Sequence, residues 1–184
     1  MQSNIEFSLL LCYTFFNKYY AQKEVVYMDV TLENLTESPR AVKAMELHKA
    51  GYNCAQAVYL AFLDKYGIDE TTAALIAGPM GGGVGGQREV CGAVSGMALA
   101  LGMLYGYSDP ADKETKMALY GHVQECSARF KAVTGSIICR TLLGLDKAAD
   151  TMTGAQRPAS GKIPCRTLVG LCAAILEQYI AEME

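Results

Sequence analysis

Residues 90–108 read VCGAVSGMALALGMLYGYS and contain no charged side chain. The segment is long enough to cross a membrane, but its glycines and serines dilute its hydrophobicity. Small side chains also let neighbouring helices approach closely, so we expect Gly96 and Gly102 to lie against other helices. The pattern therefore predicts that residues 90–105 form the buried, glycine-rich central helix of a bundle, and it predicts no membrane span.

Helical signals continue through most of the remaining chain. Apolar residues recur at helical spacing, and asparagine, aspartate, proline and glycine mark helix starts and stops. Besides the central helix, the predicted helices cover residues 39–49, 53–65, 69–77, 110–134, 136–143 and 163–183. Only residues 25–32 show a strand signal, and residues 146–162 are predicted to form a polar surface loop. The sequence therefore predicts an all-α fold, a single compact bundle of about six helices.

The 184 residues are predicted to hold one domain with an appendage. Residues 40–184 form the predicted domain, residues 28–39 a leader segment, and residues 1–27 an N-terminal extension of different character. The codons for residues 23–25 can contain a ribosome-binding sequence a few nucleotides before the codon of Met28. We therefore expect translation to start at Met28. The alternative is a genuine apolar arm that packs on a partner.

The composition excludes several classes of function. Apolar residues make up 51% of the chain, and a net charge of −3 gives no basic surface for nucleic acid. No convincing signal peptide is present, so we expect a reducing, cytoplasmic location. Neither a Ser-His-Asp arrangement nor an H-E-x-x-H motif is readable, so no independent enzymatic activity is supported. Homo-oligomerisation is left open.

Four of the seven cysteines lie where helices are predicted to begin. Cys54 follows an asparagine that can cap a helix, Cys91 follows a glycine-rich loop, Cys139 lies just past a Gly-Ser pair, and Cys165 follows a proline. Helix N-termini carry partial positive charge and unpaired N–H groups, and both stabilise a thiolate. This placement points to redox or metal chemistry more than to inert packing.

A glycine-rich loop, residues 81–86, precedes Cys91. It matches the G-x-G-x-x-G pattern, but no predicted strand precedes it, so it is a weak dinucleotide signal. One interpretation is a flexible turn between helices. The other is a loop that brings backbone N–H groups close to an anionic group beside Cys91. The supporting candidates are Gly81, Gly82, Gly83, Gly85, Gly86 and Gly92, with Arg88 as an added positive charge and His48 as a possible auxiliary near Cys54.

The same residues resemble a known family. Residues 51–58 (GYNCAQAV), the glycine loop, residues 91–96 (CGAVSG), Cys139 and Cys165 are similar to the redox-active family named for its C-GCAxxG-C-C pattern. At the centre this chain reads C-G-A-x-x-G instead of G-C-A-x-x-G. The resemblance covers roughly residues 40–184 and implies an all-helical domain whose site is Cys54, Cys91, Cys139 and Cys165. It also implies an association with iron–sulfur centres, since some relatives are linked to one.

Three cysteines fall outside that pattern, Cys12, Cys126 and Cys172. Free cysteine is commonly a small buried hydrophobe, so we interpret Cys126 and Cys172 as core residues, with a role as substitute ligand or resolving thiol as the alternative. No C-x-x-C pair is present. Zinc ribbons, bacterial ferredoxins and thioredoxin-like motifs are therefore not supported.

Three classes of function remain. The first is an electron-transfer protein in which the four cysteines bind an iron–sulfur cluster, most simply [2Fe–2S], and exchange electrons with a redox partner protein. The second is a metal-free thiol–disulfide protein. The third is a structural zinc protein. We expect the four cysteines to meet at one end of the bundle beside the glycine loop, with loop N–H groups facing cluster sulfur.

Overall fold

Seven α-helices make up most of the computed structural model, which describes residues 30–145 and 163–184. No β-strand is present in those two ranges, so the all-α prediction is confirmed. The helices are α1 (Pro39–Lys49), α2 (Cys54–Ala61), α3 (Glu70–Ala77), α4 (Gly92–Tyr105), α5 (Lys113–Thr134), α6 (Cys139–Leu143) and α7 (Cys165–Met183). Short 3₁₀ turns cover Leu35–Glu37, Leu63–Lys65 and Gly78–Met80.

Side-chain caps fix several helix starts. Ser38 accepts a hydrogen bond from the Ala41 amide at 3.0 Å ahead of α1, where Pro39 occupies the first turn. Asp69 accepts one from the Thr72 amide at 2.9 Å and so begins α3. The sequence predicts helices that start at Pro39 and at the capping residue Asp69, and α1 and α3 begin there.

Three helices are shorter than predicted by at least three residues. Phe62 leaves the helical region (φ −110°, ψ 14°), so α2 ends at Ala61 although the pattern extends to residue 65. The α5 helix begins at Lys113 because Asp112, and not Asp109, caps it by accepting from the Thr115 amide at 2.9 Å. The α6 helix begins at Cys139 and not at residue 136.

The core lies between α2, α4 and α7. The α2 helix packs against α1, α3, α4 and α7, while α4 also contacts α5 and α7. Several large side chains of the interior are fully buried, among them Tyr59, Phe62, Met97, Leu101, Phe130, Leu171 and Tyr179. The segment around α4 is thus a central, buried helix, as its glycine-rich sequence predicts.

The two central-helix glycines differ in their surroundings. A Cβ atom on Gly96 would lie 2.4 Å from the carbonyl oxygen of Ala55, so α2 and α4 touch backbone to backbone there. A Cβ atom on Gly102 would meet nothing within 4 Å in the described structure. The prediction for Gly96 is confirmed and that for Gly102 is wrong, because no atom of a neighbouring helix in the described structure lies within 4 Å of that Cβ position.

Several predictions fall outside the described residues. They concern the extension 1–27, Cys12, most of the strand signal at 25–32 and the loop 146–162. Residues 30–32, the described part of the strand signal, are not a strand. Within the two described ranges, no helix combines the length and the apolar character needed to cross a membrane.

Candidate redox site

All four cysteines of the pattern begin helices in the structure. Cys54, Cys139 and Cys165 are the first residues of α2, α6 and α7, and Cys91 is the residue that immediately precedes α4. The four side chains line one small cavity of about 20 Å³. Its remaining walls are Gly82, Arg88, Gly92, Leu142, Leu143 and Leu168.

Asn53 fixes the helix start that carries Cys54. Its side-chain oxygen accepts from the amides of Ala55 and Gln56, each at 3.0 Å, and its side-chain nitrogen donates to the Gly78 carbonyl at 2.9 Å. A Cβ atom on Gly81 would lie 2.5 Å from Cγ of Asn53. One asparagine therefore caps α2 and also holds the start of the glycine loop against Cys54.

A short antiparallel clip, residues 88–91 against residues 137–140, brings Cys91 next to the start of α6. The amide of Cys91 donates to the Ile137 carbonyl at 2.8 Å, and that of Cys139 donates to the Glu89 carbonyl at 2.6 Å. The Arg140 amide adds a bond to the Arg88 carbonyl at 3.0 Å. The backbone itself therefore fixes the relative position of Cys91 and Cys139.

An ion pair lies on the outside of this clip. The Arg140 guanidinium contacts the two carboxylate oxygens of Glu89 at 2.6 and 3.0 Å. The sequence gives no local signal for this pair, because the two residues are 51 positions apart and meet only through the clip.

Most amides of the glycine loop are already used within it. The amides of Gly81, Gly85 and Gly86 donate to carbonyls in residues 78–81. Those of Arg88 and Glu89 donate back to the Gly82 and Gly83 carbonyls at 3.1 Å. Among residues 81–89, only the amides of Gly82 and Gly83 donate to no backbone carbonyl of the described chain. Of the loop amides expected to donate to an anionic group, only those of Gly82 and Gly83 remain available.

Gly82 and Gly83 have left-handed backbone conformations, with φ of 64° and 73°. A Cβ atom on Gly83 would also lie 2.8 Å from Cβ of Cys139. Gly92 is similarly enclosed, since its Cβ atom would lie 3.2 Å from Cβ of Cys54. The glycines thus allow the backbone to approach the cysteines closely.

The four cysteine residues are not equally exposed. Cys91 and Cys139 are buried, with 4% and 5% of their surface exposed, whereas Cys54 and Cys165 are half-buried. The thiols of Cys54 and Cys165 hydrogen-bond to each other. The site therefore has an outer pair, Cys54 and Cys165, and an inner pair, Cys91 and Cys139.

Helix starts are expected to lower the pKa of a thiol, but the pKa values of two thiols at this site are raised. The hydrogen bond with Cys165, and then burial, raise the pKa of the Cys54 thiol far above its ordinary value. Burial raises the pKa of Cys91 to about 11, although the amides of Ala93 and Val94 act in the opposite direction. At both residues, burial therefore opposes the stabilised thiolates that the helix starts lead us to expect.

The two auxiliary candidates also lie at the site. Nε2 of His48, in the last turn of α1, lies 3.8 Å from Sγ of Cys54. Arg88 lines the cavity and has a left-handed backbone conformation (φ 64°), which is uncommon for a residue with a side chain. Arg88 therefore brings a positive charge to the wall of a cavity lined by thiols.

Cys126 and Cys172 lie apart from this cavity. Neither has any exposed surface, and burial raises the pKa of both thiols, that of Cys126 to about 12. Their interpretation as core residues is confirmed by this burial.

The cavity offers four sulfur atoms, those of Cys54, Cys91, Cys139 and Cys165. The six cysteines in the described ranges are free thiols, and no three His, Cys, Asp or Glu side chains there are placed to hold a single metal ion. The cavity has room for about one water molecule. Iron and sulfide would therefore enter only if the thiols moved apart.

A family model described as "Putative redox-active protein (C_GCAxxG_C_C)" matches residues 52–179. That range is more than half of the chain and includes all four cysteines, the glycine loop and the clip. No curated protein and no solved structure matches the chain.

Proposed function

This chain belongs to the C_GCAxxG_C_C family of redox-active proteins, and we propose that its four cysteines hold an iron–sulfur cluster, most simply [2Fe–2S]. The protein would act as an electron carrier for a redox partner protein. The observation that carries the proposal is the cavity lined by Cys54, Cys91, Cys139 and Cys165. Four helix starts that are far apart in sequence supply it, and inert packing does not require them to meet.

The surrounding residues suit such a centre. A bound cluster would supply one-electron chemistry, and its four thiolate ligands would be Cys54, Cys91, Cys139 and Cys165. The amides of Gly82 and Gly83 are the available backbone donors, and Arg88 offsets negative charge. Leu142, Leu143 and Leu168 form an apolar wall that limits the access of water.

Loading must also remove protons from the site. Thiolates and not thiols bind metals, and burial disfavours the thiolate of Cys91. Binding of iron would therefore release protons and be weaker at low pH. A reducing compartment such as the cytoplasm would keep all four thiols available.

A second function has an observation of its own in its favour. Cys54 and Cys165 line the same small cavity and interact with each other, and a dithiol that cycles to a disulfide requires such proximity. In that function, the chain would exchange electrons in pairs with a disulfide-containing partner and carry no metal.

The visible spectrum of anaerobically purified native protein, combined with iron, zinc and sulfide analysis, tests the proposal. We expect a brown protein with iron and acid-labile sulfide in equal amounts. A colourless, metal-free protein would favour the dithiol function. A colourless protein with bound zinc would indicate a structural site and contradict both redox functions.

A further inference from the structure

The outer and inner pairs differ in how an oxidant can reach them. Cys54 and Cys165 are half-buried residues of the cavity wall, whereas 5% or less of Cys91 and Cys139 is exposed. Thiol–disulfide exchange needs the attacking sulfur to contact a sulfur of the oxidant in line. A small disulfide in solution therefore meets Cys54 or Cys165 before it can meet an inner thiol.

The outer pair is also arranged to close on itself. The side chains of Cys54 and Cys165, the first residues of α2 and α7, line the same cavity of about 20 Å³, and their interaction raises the pKa of the Cys54 thiol. A disulfide between them requires their Cα atoms to come within roughly 7 Å of each other. Nε2 of His48 lies 3.8 Å from Sγ of Cys54, within reach of the proton that this sulfur must lose.

The inner pair is restrained differently. Cys91 and Cys139 are held through their backbone amides by the clip, at 2.8 and 2.6 Å. Gly83 packs so closely that a Cβ atom there would lie 2.8 Å from Cβ of Cys139. The clip fixes the backbone of both inner cysteines, so neither residue can move toward solvent as a whole without breaking these bonds.

We propose that Cys54 and Cys165 form a thiol switch: in the metal-free protein they are oxidised first, to an intramolecular disulfide, while Cys91 and Cys139 remain thiols. With glutathione disulfide as the oxidant, one outer thiol loses its proton and attacks, which releases one glutathione and leaves a mixed disulfide. The second outer thiol then loses its proton and displaces the other glutathione. The pair gives up two electrons and two protons, and two glutathione thiols form.

The switch has a consequence for metal loading that rests on the proposed function. Cys54 and Cys165 are half of the proposed ligand set, and a sulfur in a disulfide cannot bind iron as a thiolate. The oxidised protein therefore cannot accept a four-thiolate cluster until a reductant reopens the pair.

Peptide mapping of the metal-free full chain tests the switch. The reduced protein is treated anaerobically with increasing glutathione disulfide, free thiols are blocked by alkylation at each step, and the peptides are identified by mass spectrometry. We expect the peptide linked through Cys54 and Cys165 to be the first disulfide product, with Cys91 and Cys139 fully alkylated after denaturation. A first disulfide that includes Cys91 or Cys139, or mixed disulfides alone, would overturn the proposal.

Two matched serine variants test whether Cys54 pairs specifically with Cys165. Cys165→Ser should trap Cys54 as a mixed disulfide with glutathione, whereas Cys91→Ser, with circular dichroism unchanged, should still form the outer disulfide at the wild-type rate within about twofold. Equal loss of the outer disulfide in both variants would contradict a distinct outer pair.

Iron loading of the two redox forms separates this proposal from the function on which its consequence rests. The reduced form should develop visible absorbance with iron and sulfide. The oxidised form, treated in the same way, should develop at most about one-tenth of that absorbance. Equal loading of both forms would overturn the switch. If the outer disulfide forms but the reduced protein also stays colourless, the cluster proposal fails while the cysteine pairing stands.

Discussion

Two opposing effects act on a cysteine at the start of a helix, and at Cys91 burial outweighs the helix. The amides of Ala93 and Val94 lower the pKa of this thiol, yet it is raised to about 11 because only 4% of the residue is exposed. The sequence indicates the helix start correctly. It cannot indicate the burial, which depends on side chains from α6 and α7.

The positive charge of Arg88 should raise the reduction potential of a loaded centre. A cation near the site stabilises the reduced, more negative form, so Arg88→Gln should lower the potential by on the order of 20–40 mV. Glutamine keeps a side chain at this left-handed position and changes the charge alone. Electrochemical titration of the loaded protein measures the shift.

Arg140→Gln is the matched control for this charge. Arg140 is paired with Glu89 on the exposed side of the clip and does not line the cavity. Its replacement should therefore shift the potential much less than that of Arg88. Equal shifts in the two variants, or a higher potential in Arg88→Gln, would contradict the assigned role of Arg88.

At the scale of single elements, the contact between α2 and α4 depends on Gly96. A methyl group there would lie 2.4 Å from the Ala55 carbonyl oxygen and 3.0 Å from its Cα atom. Backbone atoms cannot move aside as a flexible side chain can. Gly96→Ala should therefore lower the free energy of unfolding by about 1–3 kcal/mol, measured by urea denaturation.

Gly102→Ala provides the control in the same helix. A Cβ atom on Gly102 meets nothing within 4 Å in the described structure, so only the gain in helix propensity remains. We expect this variant to be more stable than the wild type by about 0.5–1 kcal/mol. The packing explanation would be wrong if both alanine variants changed stability by the same amount.

The ends of helices show where tertiary contacts override the sequence pattern. The apolar pattern of α2 continues past Ala61, but Nη1 of Arg40 donates to the Ala61 carbonyl at 2.6 Å and its guanidinium also pairs with Asp64. A contact from α1 thus accompanies the end of α2. The start of α5 depends on which of two nearby aspartates caps it. The sequence favours Asp109, whereas Asp112 caps the helix in the structure.

At the scale of the whole molecule, acid should remove the ion pair between Arg40 in α1 and Asp64 in the turn after α2. The Arg40 guanidinium holds the pKa of the Asp64 carboxyl at about 2, below its ordinary value of 3.8. A depressed pKa in the folded state stabilises the protein above pH 4, and this stabilisation is lost as the pH falls from 4 towards 2. Because 54% of the Asp64 side chain is exposed, we expect only about 0.5–1 kcal/mol.

Asp64→Asn isolates this contribution from other carboxylates. The variant should be less stable than the wild type by that amount at pH 6, and the difference should shrink steadily below pH 4. Urea denaturation of both proteins at several pH values measures it. A difference that stays constant down to pH 2.5 would show that the ionised carboxylate is not its source.

The sequence predicts the all-α class and the helix starts at all four cysteines, because caps, glycines and apolar spacing are local signals. It does not predict the clip, since bonds between residues 88–91 and 137–140 join segments about fifty positions apart. Nor does it separate Cys54 and Cys165 from the buried pair. Exposure at the site depends on how α2, α6 and α7 meet.

Anaerobic reconstitution of single-cysteine variants tests the central claim most directly. Reduced full chain is incubated with iron and sulfide, desalted, and examined by visible absorbance and by iron and sulfide analysis. We predict a brown protein with about two iron and two sulfide per chain, and loss of the colour on alanine substitution of Cys54, Cys91, Cys139 or Cys165. Cys126→Ala and Cys172→Ala should retain the colour. A wild-type chain that stays colourless, or a cluster that survives loss of a cavity cysteine but not of Cys126 or Cys172, would contradict the four-cysteine centre.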